Sequence, residues 1–416
     1  DWTGVLSTYS RTINDNLKVT TGVDIRAYAG EHYREVVNLL GGDYYVHHRA
    51  MAGESGTERM RDVGGLIDYH NTGYHDWYGG WAQAEYSTDS WSAVLSGAQS
   101  VSRYQRQEQY NETEGDEFSK VLIFPGNALK LGFNYNVNES LNVFLAAGNM
   151  SKAPKFSNAY LSYSNTPNTG AKNESITSMD VGVSYRSDLL DVTTTYYNNT
   201  WEDKSLTLYS APDIYNITGL SANHSGVEVE ADVRPMDMLS VDAALSFGNW
   251  TWAENVDAEF SSDYDRQNST RVTLYTDGLK VGFQPQTQMA FGLNLMPMDG
   301  LRINTTFQMN DEFYAGFDPA DRVLDTDDPQ ALQDAVTSVT DVVKLDAFNL
   351  MDLHLSYKMN LMGTDLVLGA HVLNALDAEY VSYAEDQGFE DDGSNSAPKV
   401  FYGSGRQIRM SFKVSL

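Results

Sequence analysis

Nine residues at the end of the chain leave their backbone little choice. Ile408, Met410, Phe412, Val414 and Leu416 alternate without interruption with Arg409, Ser411, Lys413 and Ser415. A period of two places successive side chains on opposite faces, so residues 402–416 are expected to form a β-strand with one apolar and one wet side. Such a strand suits the edge of a water-soluble sandwich. It also suits a membrane barrel, where lipid meets one face and a polar lumen the other. The chain stops on an apolar residue inside the pattern, which favours a strand held in a closed sheet over a loose terminus. On that reading the five apolar residues face lipid, and Arg409 and Lys413 turn inward.

The same pattern recurs as hairpins. Residues 2–13 lead into the turn Asn14-Asp15-Asn16, after which Leu17, Val19, Thr21, Val23 and Ile25 alternate with polar or small neighbours. Further strand pairs flank Thr88-Asp89-Ser90, Asn138-Glu139-Ser140 and Ser187-Asp188-Leu189, and others flank turns near residues 236, 298 and 361. Seven hairpins plus the last strand give about 15 strands. After the first interval the short turns come roughly every 50–60 residues, whereas a sandwich turns about every 8–12. The opposite connections are long and polar; residues 27–77 and 105–119 show no sustained period. Short turns at one rim and long loops at the other are the outer-membrane pattern. One outer connection carries a helix signal, with Asp328 as N-cap, Pro329 behind it, and Leu332, Val336, Val339 and Val343 at helical spacing.

Composition narrows the function. No run of 18 apolar residues occurs, so helical membrane spans are excluded; a β-barrel escapes that test because only alternate residues are apolar. With 28 Lys+Arg against 57 Asp+Glu the net charge is −29, which argues against nucleic acid as a partner. Cysteine is absent, so disulfides and thiolate metal sites are too. Neither G-x-S-x-G nor H-E-x-x-H occurs, and no catalytic residue or enzyme activity is expected. The chain begins at Asp1 without a signal peptide, so either a leader was removed or the chain begins partway through a longer protein.

Five stretches carry a family likeness. They are Ser151-Lys152-Ala153-Pro154-Lys155-Phe156, Asn173-Glu174-Ser175-Ile176, Gly226-Val227-Glu228-Val229-Glu230, Asn374-Ala375-Leu376-Asp377-Ala378-Glu379-Tyr380 and Gly403-Ser404-Gly405-Arg406. In this order and on these strands they resemble the C-terminal barrel of TonB-dependent outer-membrane receptors. The resemblance implies an all-β, transmembrane, antiparallel outer-membrane β-barrel of a Gram-negative bacterium, of which about 15 of 22 strands are present. Residues 1–416 would then be the C-terminal portion of a single barrel domain, incomplete at its N-terminus. Seven strands and a plug domain would lie outside this chain. Short turns would be periplasmic and long loops extracellular. The implied function is active transport: loops capture a scarce ligand, and a TonB-type energy-transducing complex acts through the plug to admit it. A siderophore, metal chelate, vitamin, oligosaccharide or peptide would be the ligand, with outer-membrane lipid and a surface lipoprotein as further partners. Two departures stand out: the family's closing aromatic is replaced by Leu416, and no plug is present. A plugless diffusion porin or another outer-membrane barrel is the alternative.

Candidate binding residues concentrate in the first long loop. Five of the eight histidines, His32, His47, His48, His70 and His75, lie in it or at its base. Together with Tyr44, Tyr45 and Trp77 they can stack on, hydrogen-bond to or ligate a ligand. The expected ligand-binding set is Tyr44, Tyr45, His47, His48, His70, His75 and Trp77. Solvated loop histidines and an interfacial aromatic belt are the competing explanations. Residues 151–156 are expected at the loop base, positioning a strand end more than touching ligand. Haem receptors of the family carry a histidine after the A-P segment, and residues 155–172 hold none. The acidic runs 325–328 and 390–392 could offer oxygen ligands to calcium, although a solvated face is the simpler explanation. No cofactor and no metal site is expected.

Overall fold

The computed structural model describes residues 1–416 apart from 49–50, 53, 55–58, 113–114, 162–163, 211–212, 263–264, 324–340, 362, 387–396 and 416. The chain opens with β1 (Trp2–Thr12), β2 (Leu17–Glu35), the loop ribbon β3 (Tyr45–His47) and β4 (Arg59–Arg61), then β5 (Leu66–Ser87) and β6 (Trp91–Glu108). It continues with β7 (Leu122–Asn136), β8 (Leu141–Lys152), β9 (Glu174–Arg186), β10 (Leu190–Ser210), β11 (Asp213–Met236) and β12 (Leu239–Trp252). Next come β13 (Val256–Ser262), β14 (Asp265–Leu274), β15 (Thr287–Met298), β16 (Leu301–Asp311), β17 (Phe313–Tyr314) and β18 (Lys344–Leu345). The last five are β19 (Phe348–Leu361), β20 (Thr364–Leu373), β21 (Val381–Glu385), β22 (Lys399–Tyr402) and β23 (Gln407–Ser415).

Seventeen of these form one antiparallel sheet. Fifteen run in sequence order from β1 to β23 through the seven short turns, as the hairpin pattern implied. The other two, β13 and β14, are a hairpin stacked above β12. The 24-residue β11 outlasts its neighbour: Ala222 to Met236 pair with β12, and Asp213 to Ile217 pair with β13.

The short turns are fixed by local side chains. Asn14 Oδ1 accepts from the backbone N–H groups of Asn16 and Leu17 at 3.0 and 2.9 Å, and Asn138 Oδ1 does the same for Ser140 and Leu141 at 2.9 and 2.8 Å. Thr88 and Ser187 hydroxyls accept from the N–H groups of Trp91 and Leu190, each at 3.1 Å. These residues satisfy turn amides that would otherwise need water, and the register of each hairpin follows.

The register carries the apolar face unbroken across strands. From β8 to β16 one outward row reads Val143, Val183, Thr194, Val229, Leu245, Met289 and Met309. On β9, Met179, Val181, Val183 and Tyr185 are all exposed, although a water-soluble sheet would bury them. Tyr86, Trp91 and Phe133 stack side by side near the short-turn rim, as an interfacial aromatic belt requires. The opposite face is polar: Ser184 meets Thr193 at 2.8 Å, and Asn142 donates to Asn134 at 2.6 Å. On β23, Ile408, Met410, Phe412 and Val414 are exposed, with Met410 at 85%. Leu416 lies outside the described residues.

Among the described residues the buried apolar clusters lie beyond this belt. The largest gathers Ile217, Leu220, Ala222, Trp252, Val256, Leu274 and Leu279 where the β13–β14 hairpin leans on β11. Within hydrocarbon a sheet needs no inner core, because lipid takes that role; above it, water restores the ordinary rule.

Three sequence expectations change. Residues 27–77 are irregular only in their middle: β2 reaches Glu35 and β5 starts at Leu66. Likewise β6 runs to Glu108. Above the lipid the outward face turns polar, so the alternation fades while the hydrogen-bond ladder continues. The last strand begins at Gln407, not at Tyr402, which ends the separate ribbon β22. The helix expected from Asp328 lies outside the described residues except for its end, where Val343 is not helical and its carbonyl accepts from Ala315 N–H at 2.9 Å. Both acidic runs also lie outside them.

Candidate functional site

A cavity of about 820 Å³ opens where β2, β5 and β6 rise above the apolar belt. Three strands supply most of its wall. β2 contributes Tyr28, His32 and Arg34, β5 contributes Asn71, Gly73 and His75, and β6 contributes Arg106 and Glu108. Within each strand these residues are separated by even steps, so they share the inward face. Asp68 and Tyr69 are sequence neighbours, yet both line the cavity. Asp68 adopts φ 63°, and the register slips at this point so that Tyr33 pairs with His70 and Arg34 with Ile67. The two extra residues, Asp68 and Tyr69, form a bulge that turns consecutive side chains toward the cavity. Phe156 and Ser157, on a 3-10 turn after β8, complete the base, with His48 and Asn111 above.

The base is built from rings. Tyr104 packs 4.6 Å from His75 and 5.4 Å from Phe156, centroid to centroid, and donates its hydroxyl to Pro154 O at 2.9 Å. Gly73 permits the approach of Phe156, because a Cβ there would lie 3.3 Å from the ring.

Ion pairs stiffen the wall. Arg34 meets Asp68 at 2.6 Å and lies 5.5 Å over the Tyr69 ring. Arg106, 6% exposed, meets the buried Glu108 at 2.6 Å. Behind the wall, Arg61 grips Glu54 through two hydrogen bonds of 2.7 and 2.8 Å, and this holds the Glu54 carboxyl down at about 2. Burial pushes the Tyr110 phenol upward. Among the described residues two polar atoms on lining residues are buried without a hydrogen-bond partner, His75 Nε2 and Arg106 Nε. An unmet polar atom inside a wall of this kind is costly. Among the described residues no group of three or more His, Cys, Asp or Glu side chains is placed to hold a metal ion.

The seven residues singled out by the sequence fall into three sets. His48 and His75 line the cavity. His47 is 1% exposed and works behind the wall: its Nε2 accepts from Asp68 N–H at 3.2 Å and so braces the bulge. Tyr44, Tyr45, His70 and Trp77 do not line it. Tyr44 and Tyr45 stand exposed where the β3–β4 ribbon begins. His70 sits on the other face of β5, where it pairs with Glu31 at 2.7 Å. Trp77 shares the face of His75 but lies one inward step nearer the membrane. Arg34, Asp68, Arg106 and Glu108 line the cavity too and were not among the expected binding residues. The even spacing of Arg106 and Glu108 was the available signal, hidden because that stretch read as irregular. Phe156 was placed at the loop base as expected, but it lines the cavity as well.

A family model described as "TonB dependent receptor-like, beta-barrel" matches residues 1–375. The chain belongs to this family. Among solved structures, the copper transporter OprC superposes with a TM-score of 0.65 at 13% identity, over 99% of this chain and 56% of that one. The siderophore receptor PiuA from Acinetobacter baumannii gives 0.64 at 11%, over 99% and 56%. The ferric yersiniabactin uptake receptor FyuA from Yersinia pestis gives 0.60 at 12%, over 99% and 54%. At such identities these likenesses speak for the fold, and this receptor barrel spans little more than half the length of each. No curated protein matches the sequence.

Proposed function

We propose that the chain is part of the barrel wall of an outer-membrane receptor that captures a scarce ligand at its extracellular rim and imports it with energy from a TonB-type complex. Family membership supports the transport role. The observation that carries the reading is the cavity, built on strands and lined by the charged and aromatic side chains of Arg34, Asp68, His75, Arg106, Glu108 and Phe156. Two arginines and three histidines, His32, His48 and His75, suit a ligand rich in oxygen acceptors. Because the similar structures include siderophore receptors and a copper transporter, a metal or metal chelate is the proposed cargo.

The energy would reach the ligand through a plug domain, with a surface lipoprotein as an optional outer partner. Among the described residues β1 pairs only with β2, and β23 only with β20. Unpaired strand edges cannot stand in hydrocarbon. Further strands of the same barrel are proposed to cover both.

The test is uptake by cells carrying His75→Ala or Ser157→Trp, the second chosen to fill the cavity. Surface levels are measured beside a panel of radiolabelled ferric chelates and copper. At normal surface level, at least a tenfold loss of whichever cargo the parent imports is expected. Unchanged uptake would overturn the cavity as the capture site. Uptake that persists after loss of the TonB-type complex would favour a diffusion porin.

A further inference from the structure

Three histidines lie away from the outer cavity, and two of them meet. His354 on β19 and His371 on β20 are register partners. Their chain neighbours Leu353 and Leu355 are exposed outward, so the two rings stand on the polar lumen face. The Nδ1 atoms are 2.9 Å apart, with the ring planes 59° to one another. Contact through both Nδ1 atoms requires one of them to carry a proton and the other a lone pair. Ser411 Oγ lies 3.4 Å from His371 Nε2, within reach of a proton on that nitrogen. With a proton there, His371 accepts in the pair through the Nδ1 lone pair and His354 donates; with Ser411 donating instead, the roles exchange.

We propose that this pair is a binding site for a divalent transition-metal ion, chelated by both Nδ1 atoms on the barrel's inner wall. Imidazole nitrogens bind such ions at about 2.0–2.1 Å, and the rings now face each other head-on with centroids 5.1 Å apart, so each must turn about its Cβ–Cγ bond until both lone pairs converge on one ion. Two imidazole nitrogens with the remaining positions open suit the tetragonal or octahedral coordination of Cu²⁺ and Ni²⁺. Of these ions Cu²⁺ binds nitrogen sites most tightly, and water fills the remaining positions.

The proton balance is simple. In the neutral pair, the donor ring's proton moves from Nδ1 to its own Nε2 and none is released. In the singly protonated pair, one proton leaves to solvent. The nearby charges permit a cation. Arg409, the register partner of His371, turns its guanidinium 2.6 Å from Gln407, while Asp352 lies two residues along the same face of β19. The polar row Asp242, Asn294 and Asn304 continues on the adjoining strands, with Asn294 donating to Asp242 at 3.0 Å.

The probe is Cu²⁺ itself, added in increments to the protein extracted from outer membranes. Binding is measured for the parent, His354→Gln and His371→Gln. Separately, copper-catalysed oxidation of the parent is mapped by mass spectrometry. Each variant is expected to lose one Cu²⁺ site, with Kd raised at least tenfold, and 2-oxohistidine should form on His354 and His371 in the parent. Superimposable titrations, or oxidation confined to the outer-loop histidines, would overturn the proposal. If a substitution prevents assembly, the oxidation map of the parent decides alone. Cargo capture at the outer cavity is read by uptake, so the two readings fail separately.

Discussion

Gly73 shows how little room the cavity base allows. Its missing side chain is where the Phe156 ring rests, and a Cβ would sit 3.3 Å from that ring. Gly73→Val should therefore displace Phe156 and destabilise the outer half of β5 by about 1–3 kcal/mol, as overpacking does. Thermal unfolding in detergent would show it, and an unshifted midpoint would contradict the packing described. Glu54 supports a second prediction. Its folded carboxyl is held at about 2 by Arg61, below the unfolded value of about 4.3. The pair's contribution is thus complete above the unfolded value and is lost as pH falls from there through about 2. Limited proteolysis of the first loop should accelerate over that window. Glu54→Gln should be cleaved faster already at neutral pH and respond little to acid. At this scale the sequence was partly legible. Histidine-rich composition drew attention to the first loop, and His70 and His75, five residues apart on an unshifted ladder, must stand on opposite faces, but above the lipid no apolar alternation says which of them is inward.

Elements were easier to read than residues, and for a physical reason. Lipid imposes strict alternation, so every strand segment inside the bilayer declares itself, and Asn, Ser and Thr mark the turns between them. Above the bilayer that constraint stops, and the outer reaches of β2, β5 and β6 read as loops. The β13–β14 hairpin escaped notice because it packs against β11 rather than against lipid. Faces can be tested directly on β9. Val183 is outward and Ser184 inward, hydrogen-bonded to Thr193. Arginine on the lipid face near the midplane costs about 2–4 kcal/mol. Val183→Arg should therefore lower folded yield in bilayers sharply, while Ser184→Arg is tolerated. Equal yields would reverse the assigned faces.

For the whole molecule, the decisive quantity is how the sheet closes. Fifteen spanning strands leave β1 and β23 each paired on one side among the described residues, and the proposed remedy is further strands and a plug. The native mature protein should then be heavier than the 46.3 kDa of this chain, by intact mass from outer membranes. A native species of 46.3 kDa would instead favour a small self-closing barrel.

Because β2, β5 and β6 carry the cavity as strands, its chemistry is written in a spatial reading frame. Alternate positions face the cavity, where the proposed ligand would meet them, and the positions between them are silent. Point substitutions at displayed positions can retune recognition one group at a time without disturbing the scaffold. A single inserted residue between His75 and Tyr78 would act as a frameshift, hiding His75 and presenting Tyr74 in its place. Specificity in this receptor should therefore drift by substitution along the strands, and insertions should accumulate in the β3–β4 ribbon beyond them.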